Sequence, residues 1–196
     1  MRDVDPRRPI AFTMFALSEK QALEIEEARA QLRIEDDRLD SLIKVWLQGL
    51  TGHLEKTTGR ALLYQRCLSL YSKFSEEMFL PIAPVVVVES ITYKDNQGQR
   101  QAFDHTQFDI VQNSTRARLV LREDAVLSET IHKDQEIEVL YKCGYGSDSS
   151  QIPADLRLYL MMRLVEQFDS ASNGSAPAQT SFADYLLEPY RVFQAG

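Results

Sequence analysis

Three histidines and two cysteines are the residues of this chain whose types best suit metal binding, proton transfer or redox chemistry. His53, His105 and His132 lie far apart and match neither a His-Glu-x-x-His motif nor another paired-ligand spacing. Cys67 and Cys143 lack the Cys-x-x-Cys spacing of metal and redox sites, which is typical of reduced, partly buried thiols in a cytosolic chain. The sequence therefore predicts no metal site and no chemistry for either cysteine.

Two further patterns resemble ligand-binding motifs but are incomplete. Gly144-Tyr145-Gly146 lacks the third glycine of a dinucleotide site, which favours a turn. The acidic residues 35–37 and Asp40 lack the central glycine and terminal glutamate of a calcium loop, and helix capping explains them. Neither a phosphate-binding loop nor a Gly-x-Ser-x-Gly nucleophile elbow is present. We therefore predict no catalytic residues, no cofactor and no enzymatic activity.

The overall charge argues against tight binding of a polyanion. The 196 residues include 22 Lys and Arg against 29 Asp and Glu, which gives a formal net charge of −7, and no segment stands out as basic. The longest apolar stretch, 79–88, is interrupted by Pro81 and Pro84, so no transmembrane helix is predicted. The N-terminal residues do not have the pattern of a secretion signal.

Helical patterns lie near the beginning of the chain. Residues 25–33 are strong helix formers, and residues 39–58 place apolar side chains at helical spacing before Gly59, which suits a helix end. Gly49 and Gly52 lie inside the second helix, where each costs about 1 kcal/mol relative to alanine. Close packing of another helix would explain them, and we favour it, although simply tolerated glycines would give the same sequence.

After Gly59 the apolar residues recur at every second position, and this spacing predicts a β-sheet. Residues 62–71 alternate, and a β-branched run from Val85 to Tyr93 ends at a turn cluster, 95–98. Further short strands are expected at 99–103, 108–112, 117–121 and 136–142.

A third helix is predicted from Ile152-Pro153-Ala154-Asp155, with proline at its start and an acid in its first turn. It has two apolar faces, of which one suits the chain's own core. The other face meets either another subunit or the β-module, and these alternatives remain open. The candidate subunit-interface residues are Leu158, Met161, Met162 and Val165.

The C-terminal residues combine a polar linker with an aromatic tail. Residues 170–180 are small, polar and without periodicity, which is typical of a flexible linker. The following residues hold six large apolar groups, too few to form a core of their own. We expect this tail to dock in a groove of its own domain or of a partner, and we favour a partner.

Together these patterns predict an α+β fold. It consists of a helical core, with a long N-terminal helix and a C-terminal helix, an inserted antiparallel β-module, and an extended C-terminal tail. The expected boundaries are an N-terminal arm at 1–22, the helical core at 23–60 and 152–170, the β-module at 61–151, and the linker and docking tail at 171–196.

An ordered series of short segments resembles the head-tail connector, or adaptor, proteins of tailed bacteriophages. The resemblance is to members that carry an inserted β-module, and adaptors of gene-transfer agents are similar. The segments are 25–37, 42–43, 55–62, 80–85, 93–98, 141–146, 152–156 and 186–191.

The resemblance implies a structural virion protein at the head-tail interface, made in the cytoplasm of the bacterial host. It would form a ring, commonly twelvefold, beneath the portal protein, with genomic DNA passing through the channel without tight binding. The next neck protein, a stopper or tail-completion protein, would bind elsewhere, and no membrane is involved. The candidate portal-binding residues are Phe182, Tyr185, Leu186, Leu187, Tyr190, Arg191 and Phe193.

Two other functions are compatible with the sequence. A DNA-packaging helper would bind duplex DNA directly, which requires folding to gather the scattered Arg116, Arg118 and Arg122 into a basic stripe. A small hydrolase or ligand-binding protein would instead need a deep, polar pocket that the motifs do not reveal.

Overall fold

The structure is a computed structural model, and it describes residues 5–17, 20–95, 97–113, 116–126, 136–174 and 181–190. These residues form an α+β fold with four α-helices and two antiparallel sheets. The described residues up to Leu17, with Tyr64–Gly144, make one compact unit, and the remaining described residues make the other. We call them the β unit and the helical unit.

The described residues of the β unit form eight strands in two sheets. A five-stranded sheet has the order β1-β2-β8-β4-β5, and a three-stranded sheet has the order β3-β7-β6. Every strand pair is antiparallel. The strands are β1 Ala11–Ala16, β2 Gln65–Tyr71, β3 Glu77–Leu80, β4 Val85–Lys94, β5 Arg100–Phe103, β6 Phe108–Gln112, β7 Ala117–Leu121 and β8 Ile137–Cys143.

Strand β8 lies at the centre of the larger sheet, and its sequence explains that position. Its residues alternate between buried and half-buried, with Ile137, Val139, Tyr141 and Cys143 all directed into the core. Such alternation fixes the register, because a slip of one residue would move the whole apolar set to the other face. Strand β4 pairs with β8 through two register shifts.

Two strands were not predicted as strands. Residues 11–16, expected as part of an arm, form β1, whose residues are almost all exposed and so give no alternating signal. Strand β3 is only four residues long and overlaps the start of the apolar stretch 79–88. Strand β2 begins at Gln65, later than the alternation suggested.

The helical unit contains α1 Ile25–Leu32, α2 Asp40–Thr58, α3 Ala154–Asn173 and α4 Ser181–Tyr185. The described residues from 5 to 63 therefore do not form one long N-terminal helix: a strand comes first, followed by helices of 8 and 19 residues. A capping box between Glu24 and Glu27 begins α1. Gly59 and Gly174, with φ near 63°, end α2 and α3 in the left-handed conformation that glycine permits.

The core of the helical unit is assembled from all four helices and the segments beside them. Trp46 of α2 meets Phe168 of α3 edge to face, with ring centroids 6.4 Å apart. The buried apolar residues of this core are Ala22, Leu23, Ala28, Leu32, Ile43, Leu47, Leu54, Leu62, Ile152, Leu156, Tyr159, Leu160, Leu164, Ala183 and Leu187.

Gly49 and Gly52 do not pack against another helix in the described part of the chain. A methyl group added at either position would meet no atom within 4 Å. The expectation of a close helix approach is therefore wrong for the described residues, because the core contacts of α2 lie on another face, through residues such as Ile43, Leu47 and Leu54.

No helix among the described residues combines the length and apolar character needed to cross a membrane.

Candidate interaction surfaces

The residues with the best potential for chemistry are dispersed. His53 lies on α2 in the helical unit and His105 in a short 3-10 turn of the β unit, whereas His132 lies outside the described residues. No group of three potential metal ligands occurs within the described ranges. Cys67 and Cys143 are buried free thiols, and burial raises the pKa of Cys67, which suppresses its reactive thiolate form.

The Gly-x-Gly pattern has a local structural explanation. A side chain at Gly146 would collide with Gln151, whose atoms lie 2.3 Å from the position of an added Cβ. Gln151 Oε1 in turn accepts a hydrogen bond from the backbone N–H of Ser147 at 2.7 Å. Glycine at position 146 therefore permits a tight turn rather than an approach to a ligand.

A shallow surface depression lies in the β unit beside β4 and β5. Its charged side chains pair with one another, Arg100 with Glu138 and Lys94 with Glu136. A shallow depression whose charged side chains already pair with one another does not have the form of a small-molecule site, which is a deep pocket with polar groups directed into it.

The four predicted subunit-interface residues of α3 differ in exposure. Leu158 is exposed, whereas Met161, Met162 and Val165 are half-buried and pack against the core of the helical unit. Much of the second apolar face of α3 is therefore used within its own unit. Their role at a subunit interface remains a prediction.

The described part of the C-terminal tail folds onto its own unit as α4 and a short 3-10 turn. Ala183 and Leu187 are buried in the core of the helical unit. Arg163 of α3 donates to Asp184 Oδ1 at 2.9 Å, which links α4 to α3, and it also donates to Glu166 Oε2 within α3 at 2.7 Å. Between residues 181 and 190 the tail is thus a short helical segment, not an extended chain.

Tyr190 anchors the end of this segment. Its hydroxyl donates to the carboxylate of Asp155, with oxygen distances of 2.9 and 2.8 Å. The guanidinium of Arg60 lies 5.4 Å from the Tyr190 ring centroid and donates to the Tyr145 hydroxyl at 3.3 Å. Burial and the Asp155 carboxylate raise the pKa of Tyr190, so its phenol stays protonated.

Two aromatic side chains of α4 remain exposed. Phe182 is 58% exposed and Tyr185 is 67% exposed, and their spacing of three residues places them near one another on the helix. Leu186 is half-buried, and the remaining predicted tail residues, Arg191 and Phe193, lie outside the described residues. Within the described tail, Phe182 and Tyr185 are therefore the large side chains that a partner can reach.

Apolar residues of the predicted N-terminal arm form an exposed surface on and beside β1. The sequence indicates apolar anchors in this arm, at Phe12, Met14, Phe15 and Leu17, but it does not predict that they belong to a strand. The exposed large side chains are Phe12 and Phe15 on β1, with Ile10 and Leu17 on either side of it. Residues 10–17 also contain no charged residue.

Two of the three arginines that would form a DNA-binding stripe engage carboxylates. Arg118 Nη1 lies 2.7 Å from Glu77 Oε1, and Arg122 Nε lies 3.1 Å from Asp124 Oδ1. These ion pairs reduce the local positive charge that phosphates would meet.

Neither a protein-family model nor a curated protein matches this chain. Solved structures do match. A chain from the neck of an empty gene-transfer-agent (GTA) particle, computed with C6 symmetry, is 20% identical with a TM-score of 0.79, covering 95% of this chain and 98% of that one. A chain from the virion of the native GTA particle is 19% identical, with a TM-score of 0.74 and coverages of 94% and 97%.

A third similar chain comes from the neck of the native GTA particle, computed with C12 symmetry. It is 19% identical with a TM-score of 0.68, and the match covers 90% of this chain and 96% of that one. These similar chains come from the necks and the virion of GTA particles. The resemblance to gene-transfer-agent adaptors is thereby confirmed at the level of the fold: this chain has the fold of a GTA neck chain.

Proposed function

We propose that this chain is a structural adaptor subunit in the neck of a phage-like particle. In this role it forms a ring beneath the portal, extends the DNA channel and joins the head to the next neck protein. The observation that carries the proposal is the match over nearly the whole length of both this chain and the GTA neck chain. A fold hosts many functions, so the surfaces of this chain must supply the rest of the argument.

A ring needs subunits with two unlike contact surfaces, because each copy meets one neighbour on each side. The neck structures with this fold were computed with C6 and C12 symmetry, which supports cyclic assembly, with twelve copies as our proposal. This chain exposes large apolar side chains on α3, on α4 and on β1. Such residues are available for contacts between subunits and with other neck proteins.

For portal binding we propose α4, with Phe182 and Tyr185 as the contacting side chains. Exposed aromatic residues on a fixed support are frequent energetic centres of protein interfaces. The support here is the burial of Ala183 and Leu187 and the ion pair between Asp184 and Arg163. Leu187 and Tyr190 then act by holding α4 in place, and the next neck protein binds another surface.

The charge distribution suits a conduit that DNA crosses without being held. The net charge is −7, and Arg118 and Arg122 are paired with carboxylates. Strong phosphate contacts would add salt-dependent affinity and slow the passage of DNA. No observation favours the packaging-helper alternative. A neck role also implies location in the virion after synthesis in the host cytoplasm.

Point variants of α4 test portal binding without disturbing the core. Deleting residues 181–190 would uncover apolar neighbours of Ala183 and Leu187, so a failure to bind would be ambiguous. The double variant Phe182→Ser with Tyr185→Ser removes two exposed rings instead. We expect at least about a tenfold loss of affinity for the cognate portal protein, measured by sedimentation or surface binding, with an unchanged thermal midpoint.

The matched control is Val45→Ser, which alters a 62% exposed apolar residue on α2 and is expected to leave portal binding unchanged. Unchanged portal affinity in the double variant would remove α4 as the docking surface. Electron micrographs of the wild-type protein mixed with its portal test the wider proposal. The absence of an added ring at the portal's outer end would contradict the adaptor function itself.

A further inference from the structure

Strand β1 lies at an edge of the five-stranded sheet. It pairs with β2 from Ala11↔Leu70 to Ala16↔Gln65, and no described strand lies on its other side. In an antiparallel edge strand, alternate residues direct their backbone N–H and C=O groups away from the sheet. The outer edge of β1 can therefore accept another strand.

The side chains of β1 leave both of its faces uncovered. Five of its six residues are exposed, and only Met14 is half-buried. Phe12 is 49% exposed and Phe15 is 48% exposed, although strand geometry places them on opposite faces. An ordinary strand of a sheet buries at least one face against a core. Among the described residues, β1 is held mainly by its pairing with β2.

The other sheet edges are covered or charged, in contrast to β1. At β3, the N–H of Phe79 donates to the carbonyl of Arg7 at 2.7 Å, so an N-terminal segment lies along that edge. Strand β5 has four residues and contains Arg100, and β6 contains the exposed Asp109. Charges, short length and covering segments are common protections against strand addition. Residues 10–17 contain neither a charge nor a proline.

We propose that the outer edge and apolar faces of β1 contact a second copy of this chain in the assembled ring. The inference rests on the proposed function, because a ring places an identical copy beside every subunit. A neutral, apolar strand suits strand addition or apolar packing by such a neighbour. It offers duplex DNA no positive charge. Strand β1 thus supplies one of the two unlike surfaces that a ring contact requires.

Single lysine substitutions at β1 test this contact. Phe12→Lys and Phe15→Lys each place a charge on one face of an exposed strand, so both variants should keep the wild-type thermal midpoint. We expect each to remain monomeric at concentrations at which the wild-type chain forms rings, with or without portal, in electron micrographs and in sedimentation. The control is Val126→Lys, also in the β unit at an 80% exposed position, which should still assemble.

A photoreactive phenylalanine analogue at position 12 or 15 identifies the occupant. Irradiation of the wild-type assembly carrying this probe should give covalent species of twice the chain mass. Cross-linking to portal in place of a second copy would overturn the inference. If wild-type protein forms rings and both lysine variants do so as well, the β1 contact is wrong while the proposed function stands. A wild-type chain that forms no ring contradicts both.

Discussion

At the scale of single residues, two buried tyrosines of the β unit form hydrogen bonds between their hydroxyls and backbone groups of other segments. The hydroxyl of Tyr71 donates to the carbonyl of Phe79 at 2.7 Å, and the hydroxyl of Tyr141 accepts from the N–H of Ile82 at 3.1 Å. Burial is the largest cause that raises the pKa of both phenols. The sequence predicted strands at 62–71 and 136–142, which contain the two tyrosines. It could not predict these partners, which lie on other segments.

The buried tyrosines make the protein sensitive to alkaline pH. Since the native pKa of Tyr71 and Tyr141 is raised, their contribution to stability is complete below the unfolded value of 10.0 and is lost as the pH rises above it. We expect the free energy of unfolding to fall by about 1.4 kcal/mol per tyrosine between pH 8 and pH 11. Urea titrations at the two pH values measure it.

Tyr141→Phe provides the control, because it removes one titrating phenol while keeping the ring. The variant should lose stability at pH 8, since the N–H of Ile82 loses its acceptor, but its stability should depend less on pH. An unchanged pH dependence in this variant would contradict the assignment to Tyr141.

At the scale of elements, helix ends were predictable because they depend on local backbone chemistry. Gly59 ends α2 as expected, and α3 begins directly after Pro153. The extent of α3 was not predicted: it continues through Asn173, three residues beyond the expected core boundary at 170. Strand β1 was missed because neither of its faces is buried, and α4 because an isolated five-residue helix depends on what it packs against.

The two interior glycines of α2 provide a stability test at this scale. Since an added methyl group at Gly49 or Gly52 would meet open space, alanine should gain helix propensity without a clash. We expect Gly49→Ala and Gly52→Ala each to raise the free energy of unfolding by about 0.5 to 1 kcal/mol, as measured by urea denaturation.

Gly98→Ala is the matched comparison, because position 98 is equally open but has a φ of 76°. There alanine would adopt a left-handed conformation, so the variant should lose about 1 kcal/mol. Destabilisation by the α2 substitutions would show that these glycines accommodate a contact beyond the described residues of one chain.

At the scale of the whole molecule, charge and exposed apolar surface together favour assembly over nucleic-acid binding. The formal charge of −7 opposes contact with phosphates, whereas the aromatic residues of α4 and β1 are open to protein partners. Oligomeric structural proteins commonly bury such surfaces when they assemble. This combination agrees with the shared fold of the GTA neck chains.

Duplex DNA binding separates the adaptor from the packaging helper. We expect no mobility shift of a duplex of about 30 base pairs by about 10 µM protein at about 50 mM salt, because the net charge of −7 opposes the approach of phosphates. A basic DNA-binding protein serves as the positive control. A complex that weakens as salt is raised would contradict the expectation and favour direct DNA binding.

The sequence by itself determined the α+β class, several helix ends, most strands of the β unit and the acidic character of the chain. These features follow from local periodicity, capping chemistry and composition. Only the tertiary structure decided that Leu187 is buried while Tyr185 is exposed, and that both faces of β1 remain uncovered. It also decided that nothing in the described residues packs on Gly49. A pattern of side chains shows which residues share a face. Whether that face is covered depends on segments distant in sequence, and free energy of burial is gained only where they meet.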